Sequence, residues 1–194
     1  MTVAIIKYNA GNTESVMNAM KRLGVTATIT DDAEELVKAS RVIFPGVGEA
    51  SSAMSFLRER GLDDVICGLK QPVLGICLGM QLLCRDSEEN AAECLGIVTN
   101  RVRQFRSDVL KVPHIGWNRI TNLRSRLFQG VVDGEYVYFV HGYYVEPGDE
   151  TIATCSYAGE FSAAVEKGNF YAVQFHPEKS GEVGERILRN FLEV

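Results

Sequence analysis

The 194-residue sequence predicts an α/β fold, with a mostly parallel central sheet flanked by helices and additional strands in the second half. Three observations carry this. Strand-like and helix-like segments alternate through the first half. One strand, "PVLGI" (72–76), is apolar throughout, as suits a strand covered on both faces. The second half then brings strand runs in quick succession: "RVRQF", "HIGWNRI", "YVYFVHGYYV" and "TIATCSY".

In chain order, "VAIIKY" (3–8) reads as the first strand and "NAGN" (9–12) as a turn. Asn12 stands where it can cap a helix in which Val16, Ala19, Met20 and Leu23 recur at helical spacing. "GVTATI" supplies a second strand, "DDAEELVKA" a short helix with an acidic start, and "RVIF" (41–44) a third strand that runs into "PGVGEA" (45–50). The helical region that follows is interrupted near Gly61. "FSAAVEKGNFYAVQF" holds two strands joined at "KGN". "GEVGERILRNFLEV" (181–194) closes as a helix whose apolar stripe is Val183, Ile187, Leu188, Phe191 and Leu192. There is no repeat or low-complexity tract, and the length suits one domain over 1–194.

A net charge of -5 offers no basic surface for nucleic acid or an anionic membrane. No apolar run is long enough to span a bilayer, and the N-terminus lacks a signal pattern, so a cytoplasmic, reduced protein is expected. The 5 cysteines lack the paired spacing of a metal knuckle or redox dithiol. Cys67, Cys84, Cys94 and Cys155 read as small buried or half-buried apolar residues. His114, His141 and His176 are far apart in the chain and form no local zinc motif, so neither a metal nor a cofactor is expected.

The chemistry concentrates in three motifs. In "VLGICLGMQLL" (73–83) Cys77 stands between Gly75 and Gly79, where an apolar strand turns into a helix. Such an elbow projects its side chain at the carboxyl edge of the sheet, and the glycines let strand and helix approach closely. The helix start favours a thiolate, and the Leu78 amide is placed for an oxyanion. Alone, the motif also fits a buried packing cysteine, or any of several thiol enzymes. "AVQFHPEKS" (172–180) adds His176, a base of suitable pKa, and Glu178, which can orient it. "FPGVG" (44–48) adds a loop whose amides around Val47 and Gly48 can supply a second oxyanion donor.

In this order and spacing, "PGVG", "GICLGMQLL" and "FHPEKS" resemble a class I glutamine amidotransferase domain over nearly the whole chain. The resemblance implies a flavodoxin-like architecture and a triad in which Cys77 is nucleophile, His176 acid and base, and Glu178 its orienting carboxylate. It also implies Gln81 as a glutamine-binding residue, and Val47, Gly48 and Leu78 as the oxyanion region. "KYNAGNTESV", "PHIGWN" (113–118) and "YFVHGYY" (138–144) resemble the glutaminase subunits of imidazole glycerol phosphate synthases. That branch implies a separate (β/α)8-barrel cyclase as partner, met by a face that includes Asn12, Pro113, Trp117, Tyr138 and His141. Lys7 and Gly142 depart from the branch, which commonly has aspartate and a hydroxyl residue there. A subunit serving another synthase and a stand-alone γ-glutamyl thiol hydrolase share the three core motifs. A binding module without activity would be expected to lack a triad member.

Overall fold

A computed structural model describes residues 1–194. The first half alternates as expected: β1 (Val3–Ile6), α1 (Thr13–Arg22), β2 (Ala27–Thr30), α2 (Ala33–Lys38), β3 (Arg41–Gly46), α3 (Ala50–Glu59), α4 (Leu62–Gly68), β4 (Val73–Cys77) and α5 (Leu78–Leu83). Gly61, at φ +65°, makes the break between α3 and α4. Strands follow: β5 (Asp86–Ser87), β6 (Ala92–Glu93), β7 (Arg101–Gln104), β8 (His114–Arg119), β9 (Tyr136–His141), β10 (Tyr143–Val145), β11 (Thr151–Ser156), β12 (Glu160–Lys167) and β13 (Phe170–Val173). A 3-10 turn at Pro177–Lys179 leads into α6 (Gly181–Glu193).

The main sheet has the order β2-β1-β3-β4-β13-β12-β10-β7-β5-β6, with β11 also paired to β12. From β2 to β13 the pairing is parallel; β13, β12, β10 and β7 then run antiparallel to one another. The sheet is therefore mixed, its parallel half built by the strand–helix units and its antiparallel half by the later strands. "YVYFVHGYYV" is two strands rather than one. The chain leaves β9 at Gly142, so that β9 pairs with β8 in a separate two-stranded sheet while β10 joins the main one.

Alternation along the parallel strands serves two cores. Ala4, Ile6, Val42 and Phe44 face Leu36, Leu57, Ile66 and Met80 on one side of the sheet. Val3, Ile5, Ile43, Leu74 and Ile76 face Val16 and Met20 of α1 and Ile187, Leu188 and Phe191 of α6 on the other. Five-strand parallel packing with both faces covered explains why "PVLGI" has no polar position. No helix is long and apolar enough to cross a membrane. Cys84 and Cys155 are buried and Cys94 half-buried as expected, but Cys67 is exposed because its turn of α4 faces outward.

Candidate active site

The site follows from the parallel register. Gly46 pairs with Cys77, and Val173 with Ile76, so β3, β4 and β13 end together at one edge of the sheet. Cys77 closes β4 at φ 53°, ψ -107°, outside the region usual for a residue with a side chain, and α5 begins at the next residue. The glycines beside it have separate tasks. A Cβ on Gly79 would lie 1.8 Å from the Phe44 carbonyl oxygen of β3, and one on Gly75 would lie 3.0 Å from both Leu83 Cδ1 and the Met80 amide.

Three residues past β13, the His176 ring is wholly buried, and its Nδ1 lies 2.7 Å from Glu178 Oε1. Burial alone would lower the pKa of His176. The nearby Cys77 sulfur, as a negatively charged acceptor, and the hydrogen bond and charge of Glu178 outweigh this and raise it to about 10. Burial likewise acts to raise the Glu178 pKa, but its bonds to His176 and Asn12 bring it below the ordinary carboxylate value. Because a carboxylate only accepts, Nδ1 of His176 carries the hydrogen and Nε2 is the nitrogen left for the thiol.

The loop between β1 and α1 supports both sides of this edge. Asn12 occupies the N-cap position of α1 without capping it, contrary to the sequence expectation. Its side chain instead donates to Glu178 Oε1 at 2.8 Å and lies 3.4 Å from His176 Nδ1. One residue earlier, the Gly11 amide donates to the Val47 carbonyl at 3.3 Å, fixing one side of the Val47–Gly48 peptide. Asn9 reaches the Ser52 carbonyl at 3.2 Å.

In front of Cys77 is a pocket of 290 Å3 lined by Val47, Gly48, Leu78, Gln81, Glu89, Pro113, His141 and Tyr143, among others. Val47, Gly48, Leu78 and Gln81 thus surround the thiol as the motifs suggested. Pro113 and His141, expected on a partner face, line this pocket. His141 is only 5% exposed because Nδ1 bonds the Tyr143 carbonyl at 2.7 Å and Nε2 lies 3.0 Å from His114 Nδ1, so its ring is closed to a partner. Trp117 and Tyr138 are elsewhere, paired across the outer face of β8–β9. At Gly142, where the resemblance led to a hydroxyl residue being expected, there is space for one, since a Cβ there would meet only Pro113 at 3.8 Å. Its backbone is braced by the Phe105 amide, which donates to the Gly142 carbonyl at 3.0 Å.

Sequence reasoning missed two residues of the site, Glu89 in the pocket wall and Gln174 behind it. Glu89 accepts from the Ala50 amide at 2.8 Å, and burial raises its pKa more than that bond lowers it. Its position depends on the fold of the segment after α5, for which "DSEEN" carries no signal. Gln174 is fully buried between Gln81 and Cys77. Its signal was available, as a polar residue in the apolar run "AVQF".

The arrangement is a thiol, a base and an orienting carboxylate around a half-open pocket, which suits acyl transfer. In overall fold the chain is similar to a crystal structure described as glutamine amidotransferase, with TM-score 0.76 at 22% identity, covering 98% of this chain and 97% of that one. It is also similar to the structure of PurLQS from Thermotoga maritima, with TM-score 0.75 at 18% identity over 99% and 97% of the two chains. In sequence it is 59% identical over 196 residues to the imidazole glycerol phosphate synthase subunit HisH of Bacteroides fragilis, and 47% identical over 196 residues to that of Escherichia coli K12; each comparison covers 100% of both chains. The family model "Glutamine amidotransferase class-I" matches residues 4–194, and with these relatives it shows that the chain belongs to the class-I glutamine amidotransferases.

Proposed function

We propose that this chain is the glutaminase subunit of an imidazole glycerol phosphate synthase, a single amidotransferase domain over residues 1–194 that works in the cytoplasm with a (β/α)8-barrel cyclase. The 59% identity to a HisH subunit along the full length supports the branch. The observation that carries the chemistry is the buried His176–Glu178 pair, held at 2.7 Å with the Cys77 sulfur against the same ring.

In this reading the Cys77 thiolate attacks the carboxamide carbon of L-glutamine. The electron pair of the carbonyl moves to oxygen, where amides of Leu78 and of the Val47–Gly48 region stabilise it. The imidazolium of His176 gives its Nε2 proton to the leaving nitrogen, the C–N bond breaks, and ammonia departs from a γ-glutamyl thioester. Water then attacks the thioester carbon and gives a proton to His176; the C–S bond breaks, releasing glutamate and restoring the Cys77 thiolate beside the imidazolium. Glu178 holds the ring and offsets its charge at each stage. Gln81 and Glu89 line the pocket on the substrate side, where a carboxylate suits the α-ammonium group of glutamine. The ammonia passes to the cyclase subunit, which forms imidazole glycerol phosphate and an aminoimidazole carboxamide ribonucleotide in histidine biosynthesis.

Cys77→Ala tests this directly. In complex with the cyclase, the variant is expected to lose glutamine-dependent synthesis while ammonium salts still support it. Glutamine-dependent turnover near the wild-type rate would rule out Cys77 as the nucleophile.

A further inference from the structure

Resting on the reading of Cys77 as the nucleophile, we infer that Gln174 is a further catalytic residue, an N–H donor that holds the thiolate, and that a buried hydrogen-bond chain dictates which way its amide faces.

The direction of this chain follows from a single atom. The Tyr143 carbonyl oxygen can only accept, and it receives both His141 Nδ1 at 2.7 Å and Gln81 Nε2 at 3.0 Å. The NH2 group of Gln81 must therefore face Tyr143, and its second hydrogen goes to Gln174 Oε1 at 3.0 Å. With its oxygen thus used, Gln174 turns Nε2 toward Cys77 Sγ, 3.7 Å away. Rotating either amide by half a turn would set two acceptors or two donors against each other in a site with no room for water-like freedom, since Gln81 and Gln174 are 4% and 0% exposed.

The other end of the chain is equally determined. His141, with Nδ1–H given to Tyr143, accepts at Nε2 from His114 Nδ1–H, and Asn118 Nδ2 lies 3.4 Å from the remaining ring nitrogen of His114. Both rings are held neutral by burial, which this one-directional order requires.

A neutral N–H aimed at sulfur favours thiolate over thiol without adding a proton of its own to the reaction. It also leaves His176 free to serve the leaving nitrogen. The titratable groups around the sulfur are His176 backed by Glu178, Tyr8 from the loop after β1, and His141 and Glu89 across the pocket. Two neighbours act on the sulfur without changing with pH: the Val140 carbonyl oxygen, 3.9 Å away, can accept only from the thiol, and Gln174 supplies the N–H that favours the thiolate.

The test is the pH profile of Cys77 alkylation by iodoacetamide on the full chain, read by peptide mass spectrometry; the reagent is small and makes no use of glutamine recognition. Gln174→Met keeps length and burial but removes the donor. Its alkylation midpoint is expected to rise by about one pH unit, so that about tenfold less thiolate is present on the acid side. Where Gln174→Met does not fold, Gln81→Leu replaces it: Gln174 stays but its amide is free to turn, and a smaller rise is expected. An unmoved midpoint in folded Gln174→Met, or in Gln81→Leu if only that variant folds, overturns the assignment. Failure of the underlying reading shows itself separately, as glutamine turnover by Cys77→Ala.

Discussion

His114 and His141, hydrogen-bonded to each other inside the protein, fix how stability responds to acid. Burial lowers their pKa values to about 4 and about 3, whereas an unfolded chain begins to protonate histidine near pH 6.5. Below pH 6.5 the unfolded state therefore binds protons that the folded state refuses. The stability they contribute is present above that pH and is lost as pH falls toward 4, by about 1.4 kcal/mol per pH unit for each ring. His176 has the opposite sign: raised to about 10, it contributes fully below pH 6.5, and the contribution is lost as pH rises through 10. Urea midpoints between pH 4 and 7 are expected to fall with acid in the wild type and to fall less steeply in His114→Gln. Equal slopes would mean that the rings are not held neutral. The roles proposed for Cys77, His176 and Glu178 were open to sequence reasoning because each sits in a local motif. The pairing of His114 with His141 was not, since it depends on the β8–β9 register, which no local motif announces.

The elbow at β4–α5 shows what a short element can demand of its neighbours. Gly79 lies directly on the Phe44 carbonyl, so Gly79→Ala must push helix and sheet apart and is expected to cost roughly 2–3 kcal/mol. Gly68→Ala, where a Cβ meets nothing within 4 Å and φ is not positive, serves as the near-neutral control, with denaturant unfolding as the measurement. The elements of the first half were legible because period and breakers agree there: "RVIF" and "PVLGI" are continuous apolar strands, and Gly61 ends a helix. The later strands were legible as strands but not in their partners. Nothing in "FYAV" announces that it lies parallel to β4, an arrangement that closes only when the chain returns after almost a hundred residues. Gly142 hides the division of β9 from β10 because both flanking runs have the same aromatic character.

For the molecule as a whole, the outward face of β8–β9 presents exposed apolar side chains side by side. Ile115 and Trp117 are 61% and 55% exposed, and across the ladder stand Val140 and Tyr138. An exposed aromatic on this two-stranded sheet is a suitable anchor for the proposed cyclase partner. Trp117→Ala is expected to weaken the subunit complex by about 2 kcal/mol in calorimetric titration while the isolated chain keeps its melting temperature. A lowered melting temperature with unchanged affinity would assign Trp117 to packing instead. The loop between β1 and α1 carries a different consequence. Through Gly11 it grips the peptide expected to face the oxyanion, and through Asn12 it grips the base's carboxylate, so two consecutive residues tie together parts of the site that lie about 130 positions apart in the chain. Such a loop cannot change length: one residue inserted or lost after Gly11 would release one grip or the other. Substitution in it is tolerable only at side chains that point away from the site, and Lys7, exposed at the loop's first position, is one of these.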